Sequence, residues 1–113
     1  LVKAEFLRVS FDDADLTGAD LSDGEFSRNS FVKANLTSAN LSGAMLQRAN
    51  FKDATLAGAS FKRTYLYWTR FEGADLSQAV DLNQAQLNMA CGDAQTKLPA
   101  GLTMPTNWPC AAD

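Results

Sequence analysis

The stretch Phe31-Val32-Lys33-Ala34-Asn35-Leu36-Thr37-Ser38-Ala39-Asn40-Leu41-Ser42-Gly43-Ala44-Met45-Leu46 carries a Leu or Phe at every fifth position. The spacing extends in both directions, from Leu1 to Leu76, over sixteen positions without an exception, and takes in all seven Phe of the chain. No regular element accommodates it. On an α-helix five residues advance the side chain by roughly 500°, so the large residues would spiral around the axis. On a straight strand an odd spacing sends successive members to opposite faces. The chain must therefore turn once per repeat.

Two residues before each large residue sits a small one, Ala in ten of fifteen cases, the exceptions being Val9, Gly24, Asn29, Thr64 and Thr69. Small and large residues two apart can both point inward across one short extended step. The remaining residues make the corner, where Gly18, Gly43, Gly58 and Gly73 fall. Glycine suits such corners because it tolerates positive φ.

Read as A-[DN]-L-x-x, the chain resembles the pentapeptide-repeat family. Ala14-Asp15-Leu16-Thr17-Gly18, Ala34-Asn35-Leu36-Thr37-Ser38 and Ala74-Asp75-Leu76-Ser77-Gln78 carry the resemblance, which covers residues 1–78. It implies an all-β fold, a right-handed quadrilateral β-helix with one repeat per side and about four coils, over residues 1–81. Neighbouring coils at ~4.8 Å would make the tower roughly 20 Å tall. It also implies a non-enzymatic protein, with DNA-mimic protection of a type II topoisomerase as the alternative known among family members.

Register breaks after Leu76, and residues 82–113 read as a C-terminal cap. Asn83 suits an N-cap, and Gln86 three residues later completes a capping-box pattern. Leu82 and Leu87 fit a hydrophobic staple around a helix from Gln84 to about Ala90, with Gly92 placed to end it. An extended tail follows, whose Leu98, Leu102, Met104 and Trp108 need a surface to cover; the open end of a solenoid supplies one. Cys91 and Cys110 are the only cysteines and there is no His, so a four-ligand zinc site is out of reach. A disulfide is the better reading, with a redox-active pair as the alternative although the spacing is not C-x-x-C. The segment from Leu87 to Pro99 is similar to C-terminal caps of pentapeptide-repeat proteins in bacteria and photosynthetic organelles.

At 113 residues, 46% hydrophobic and 20% charged, the chain is sized for one globular domain. The missing His removes the usual proton carrier at neutral pH, and no G-x-S-x-G or phosphate-binding loop replaces it. No cofactor, metal-ligand set or catalytic residue is expected. Asp12, Asp13 and Asp15 could help hold a cation, but the repeat places carboxylates on its outer wall in any case. No apolar run reaches the ~20 residues of a membrane span. The start at Leu1 shows no leader pattern, which reads as a mature or trimmed form. A disulfide places the protein in an oxidising compartment: periplasm, thylakoid lumen or outside the cell.

Charge is banded. Residues 1–25 are net −5, residues 26–71 net +6 and residues 72–113 net −4. A net charge of −3 argues against nucleic acid as the expected partner. A twenty-residue coil would stack Arg8, Arg28 and Arg48 at one corner, with Trp68 next in the column. Around it gather Arg48, Lys62, Arg63, Tyr65, Tyr67, Trp68 and Arg70, a candidate interaction patch for a protein partner, since aromatics among arginines are enriched at interface hot spots. The alternatives are a C-terminal tail folded over the rings, with Arg stacking on them, and single-stranded nucleic acid stacked on them. An uncovered first coil is a further candidate edge, for self-association.

Overall fold

A computed structural model describes residues 2–110. Its unit is a β-turn repeated along the chain. In the turn after Phe31 the Ala34 N–H donates to the Phe31 carbonyl at 3.1 Å; after Leu36 the Ala39 N–H donates to the Leu36 carbonyl at 3.0 Å. The residue before the closing donor has positive φ at every corner from Lys3 to Gly73, as a type II turn requires. Glycine occupies this position only at Gly18, Gly43, Gly58 and Gly73; Lys, Arg, Asp, Ser and Trp hold it elsewhere, at φ between 56° and 61°. Glycine at the corners was therefore a sufficient signal but not a necessary one. The left-handed conformation costs an L-residue on the order of 1 kcal/mol, and here turn-closing bonds such as Ala34 N–H to Phe31 and ladder bonds such as Lys33 N–H to the Lys52 carbonyl hold it.

Between corners one residue pairs with the residue twenty positions on, always in parallel. Glu5, Glu25, Met45 and Tyr65 form one such column; Ser10, Ser30, Asn50 and Arg70 form the next. Asp15, Asn35, Thr55 and Asp75 form the third, and Asp20, Asn40, Ser60 and Val80 the fourth. These columns lie on four successive faces, A to D, of a β-helix. Each rung is a single bridge because the chain turns again before a longer strand can form. The Phe31 N–H donates upward to the Asn50 carbonyl at 2.7 Å, and the Asn50 N–H donates back to the Asn29 carbonyl at 3.0 Å.

The preference for Asp or Asn just before the large residue has a local cause. The side-chain oxygens of Asp15, Asn35, Asn40 and Asp75 accept the backbone N–H two residues on, from Thr17, Thr37, Ser42 and Ser77, at 3.0–3.1 Å. These bonds pin the entry to each turn. They favour the ionised form, so hydroxyl and backbone donors of Thr17, Ser22 and Ser77 hold the carboxyls of Asp15, Asp20 and Asp75 below the ordinary value of 3.8.

Leu and Phe fill the interior in columns. Phe31 and Phe51 stack with centroids 4.7 Å apart and planes 2° from parallel; Phe11 lies 5.1 Å below Phe31 and Phe71 5.4 Å above Phe51. Phe31, Phe51 and Phe71 are fully buried. Four of the five exceptions in the Ala column have a packing or hydrogen-bonding reason. A side chain at Gly24 would overlap the Phe26 ring. Asn29 turns inward so that its Oδ1 accepts the Val9 N–H at 2.9 Å. The buried hydroxyls of Thr64 and Thr69 donate to the Phe61 and Leu46 carbonyls, at 2.9 and 2.6 Å.

The ladder continues past the break in sequence register. Val80 still pairs with Ser60, and beyond it Arg70 pairs with Cys91 and Asp75 with Lys97. Those two pairings span twenty-one and twenty-two residues: one extra residue falls between Val80 and Cys91, the segment that holds a helix, α1 (Gln84–Met89), and one between Cys91 and Lys97. Asn83 and Gln86 form a reciprocal capping box. The remaining amide nitrogen of Gln86 donates to the Phe61 carbonyl at 2.8 Å and to the Thr64 hydroxyl at 2.9 Å. One side chain thus starts the helix and satisfies the coil beneath it.

The C-terminal end of α1 departs from expectation. Ala90 is already extended, at φ −90° and ψ −179°, so the helix stops one residue early and Gly92 does not terminate it. Gly92 is required for another reason: it is buried, and a Cβ there would overlap the six-membered ring of Trp108. The Trp108 indole N–H donates to the Ala90 carbonyl at 2.8 Å, and Cys91 is joined to Cys110 by a disulfide, Cα to Cα 5.6 Å. The described tail is thereby tied to the segment after α1.

Two outcomes follow. Gly92→Ala forces the Trp108 ring out of its slot and lowers stability by about 1–3 kcal/mol, as overpacking does, read as an earlier denaturant midpoint by tryptophan fluorescence. For the turn carboxylates, a lowered folded-state pKa means a contribution present at neutral pH and lost as pH falls below 3.8. The variant carrying Asp15→Asn, Asp20→Asn and Asp75→Asn keeps the acceptor oxygen, as Asn35 and Asn40 already do, and so its urea midpoint falls less on acidification than that of the parent.

Candidate functional site

Face A and the corner that follows it carry the aromatic cluster. Leu66 points inward and is 1% exposed, which throws its neighbours Tyr65 and Tyr67 outward. They remain 43% and 42% exposed, with ring centroids 6.5 Å apart and planes 19° from parallel. Tyr67 meets Trp68 edge-on at 6.4 Å. Trp68 occupies the left-handed corner position at φ 56°, and its backbone N–H donates to the Met89 carbonyl at 2.7 Å, beneath the end of α1. The Arg48 guanidinium, one coil below, lies over the Trp68 ring at 5.5 Å, a cation–π contact.

Four of the seven residues of the expected patch are brought into contact. Arg48, Tyr65, Tyr67 and Trp68 are linked ring to ring and cation to ring. Arg70 stands on the next face and its guanidinium pairs with Glu72 at 3.1 Å. Lys62 and Arg63 are exposed at the corner preceding face A, outside the ring contacts. Met45 belongs to the cluster and was missed by sequence reading: it pairs directly beneath Tyr65 and is 37% exposed. Reading the outward column at a twenty-residue step would have found it.

The described tail takes another course than over the tyrosines. Thr103 exchanges two hydrogen bonds with the Gln84 side chain, at 2.9 Å each, and Trp108 docks against Gly92 and Ala90. Arg48, from the coil below, is the cation recorded over Trp68.

In the acidic cluster of the first coil, Asp12 and Asp15 accept hydrogen bonds from backbone and hydroxyl groups. Asp12 accepts from the Ser30 hydroxyl and, at 2.9 Å, from the Val32 N–H; Asp15 accepts from Thr17. Among the described residues no group of three His, Cys, Asp or Glu side chains is arranged to hold a metal ion. No helix among them is long and apolar enough to cross a membrane. The start of the first coil, Leu1, lies outside the described residues.

Comparison with known proteins places this architecture. A family model of pentapeptide repeats matches residues 1–28, 10–48 and 39–78, and so covers well over half of the chain. A comparison with curated protein sequences finds no match. Among solved structures the chain is similar to HetL of the cyanobacterium Nostoc sp. strain PCC 7120, a protein involved in heterocyst differentiation regulation. That likeness is 22% identical over 95% of this chain and 53% of that one, with a TM-score of 0.35. The chain thus spans about half the length of HetL. It is also similar to Rfr23 of the cyanobacterium Cyanothece 51142, at 15% identity over 96% of this chain and 88% of the other, TM-score 0.42. A pentapeptide repeat protein of the Arabidopsis thaliana thylakoid lumen matches at 24% identity over 89% and 72%, TM-score 0.35. The matched repeats, together with the parallel pairing of residues twenty apart, mean that this chain belongs to the pentapeptide-repeat family.

Proposed function

We propose that the protein is a non-enzymatic, rigid scaffold that presents face A to a protein partner in an oxidising compartment. In this reading residues 1–81 are the repeat solenoid of about four coils, and the segment from 82 onward caps its last coil. The observation that carries it is the pair Tyr65 and Tyr67, near-parallel and exposed on a backbone held rigid by the ladder. The Leu46 N–H donates to the Tyr65 carbonyl and the Arg48 N–H to the Tyr67 carbonyl, at 3.0 and 2.9 Å. Rings held in place lose little conformational freedom on binding, so contact area converts to affinity with a smaller entropic cost. Met45 extends the apolar surface downward and the Arg48–Trp68 contact closes one edge.

The Cys91–Cys110 bond supports the periplasm, a thylakoid lumen or the cell exterior, where disulfides persist. The basic band over residues 26–71 speaks against DNA mimicry, which needs an anionic wall facing the enzyme.

Affinity capture from an extract of such a compartment tests the reading. The parent retains a partner that the variant carrying Tyr65→Ala, Tyr67→Ala and Trp68→Ala loses, while circular dichroism shows that variant still folded. Equal capture by both proteins sinks the patch.

A further inference from the structure

The two halves of the Cys91–Cys110 bond stand in different surroundings. Cys91 sits on a ladder rung and is 1% exposed: its N–H donates to the Thr69 carbonyl at 2.7 Å, and its carbonyl accepts from the Phe71 N–H at 2.8 Å. Cys110 belongs to the tail and is only partly buried. Its Sγ lies 3.8 Å from the Ala90 carbonyl oxygen, to which the Trp108 indole N–H donates at 2.8 Å. The Trp108 ring fills the space over Gly92. The tail is thus held twice beside Cys91, covalently by Cys110 and non-covalently by Trp108.

This arrangement selects the chemistry that can open the bond. Thiol–disulfide exchange needs an incoming thiolate to reach one sulfur, and burial leaves Cys110 as the accessible one. Attack there joins the incoming sulfur to Cys110 Sγ and breaks the Cys91–Cys110 bond, and the departing Cys91 thiolate takes a proton from water. Trp108, two residues from Cys110, still holds the tail in place. Cys91 therefore remains beside the mixed disulfide at high effective concentration and re-forms the bond, expelling a monothiol. A dithiol escapes this reversal. Its second thiolate attacks its own sulfur in the mixed disulfide and releases Cys110, which is protonated from solvent. The dithiol leaves as a disulfide, having given up two electrons, and Cys91 and Cys110 remain as thiols.

Opening the bond reaches the aromatic corner through a short chain of contacts. Cys91 follows Ala90, the C-cap of α1, and Met89, whose carbonyl accepts the Trp68 N–H at 2.7 Å. Without the tether, the Trp108 ring and its bond to the Ala90 carbonyl hold that segment by non-covalent contact alone. We propose that Cys91–Cys110 is a reduction site for a protein dithiol, entered at Cys110, and that its opening loosens the corner on which Trp68 stands. Tyr67, edge-on to Trp68, and Arg48, over its ring, feel the change. The effect stays local. Gln86 still donates to the Phe61 carbonyl and the Thr64 hydroxyl, and the coils below keep their ladder. The inference stands apart from the protein-partner reading above and survives its failure.

Hydrogen exchange at single amides, followed by nuclear magnetic resonance on the full chain before and after dithiothreitol, tests the coupling. The Trp68 amide is expected to exchange about tenfold faster or more once the bond is open. The Lys33 amide, bonded to the Lys52 carbonyl at 2.9 Å in the coils below, is expected to keep its rate. Cys110→Ser reproduces the reduced pattern without any reductant. Glutathione at the same thiol concentration leaves the parent closed, whereas Trp108→Ala accumulates glutathione on Cys110, read by peptide mass. Unchanged exchange at Trp68 after reduction overturns the proposal. Protection lost at Lys33 as well makes the bond a staple of the whole fold and overturns it too. Glutathione found on Cys91, or opening of the parent by glutathione as readily as by the dithiol, defeats the assignment of Cys110 and of a dithiol.

Discussion

The structure depends on one repeated constraint, the parallel backbone bonding of each residue to the residue twenty positions on. Because the chain closes a square in that interval, every outward column is a row of chemically comparable positions one rung apart. The same closure stacks Phe on Phe, as at Phe31 and Phe51, and sets Ala columns beside them so that four walls can meet. Burial of these side chains supplies the driving force, and the ladder supplies the geometry in which they can be buried. Corners occupied by Lys, Arg and Trp at positive φ show which effect wins: local backbone preference yields to the ladder.

A ladder creates a difficulty at its end, where carbonyls and N–H groups of the last rung have no coil to meet. Here the answer is distributed. Cys91 and Lys97 provide two further rungs, Gln86 and Thr96 reach down to the Phe61 and Phe71 carbonyls, and Met89 receives the N–H of Trp68. The last contact orders the corner on which Trp68 and Arg48 meet. The end of the fold and the candidate site are therefore physically coupled through α1.

Much of this was legible in residue order. The five-residue spacing required one turn per repeat, and the Asn83–Gln86 pattern gave the start of α1. Other features were not. Gly92 was read as a helix terminator, because a glycine after a short helix commonly is one; its real role depends on Trp108, sixteen residues further along, filling the space its missing side chain leaves. Met45 looked like an ordinary outward residue until its column partner Tyr65 was in place. Gly24, Asn29, Thr64 and Thr69 looked like lapses from Ala, and each proved to answer a steric or hydrogen-bonding demand, set by Phe26, Val9, Phe61 and Leu46 in turn.

Sequence alone determined the period, the inward residues and the charge bands, since all of these follow from residue type and spacing. The tertiary structure decided which outward residues meet. Arg48 lies over Trp68, Arg70 turns to Glu72, and Tyr65 and Tyr67 stay exposed while the described tail docks beside α1. Those outcomes depend on rotamers and on contacts between segments far apart in the chain, and a repeat pattern constrains neither.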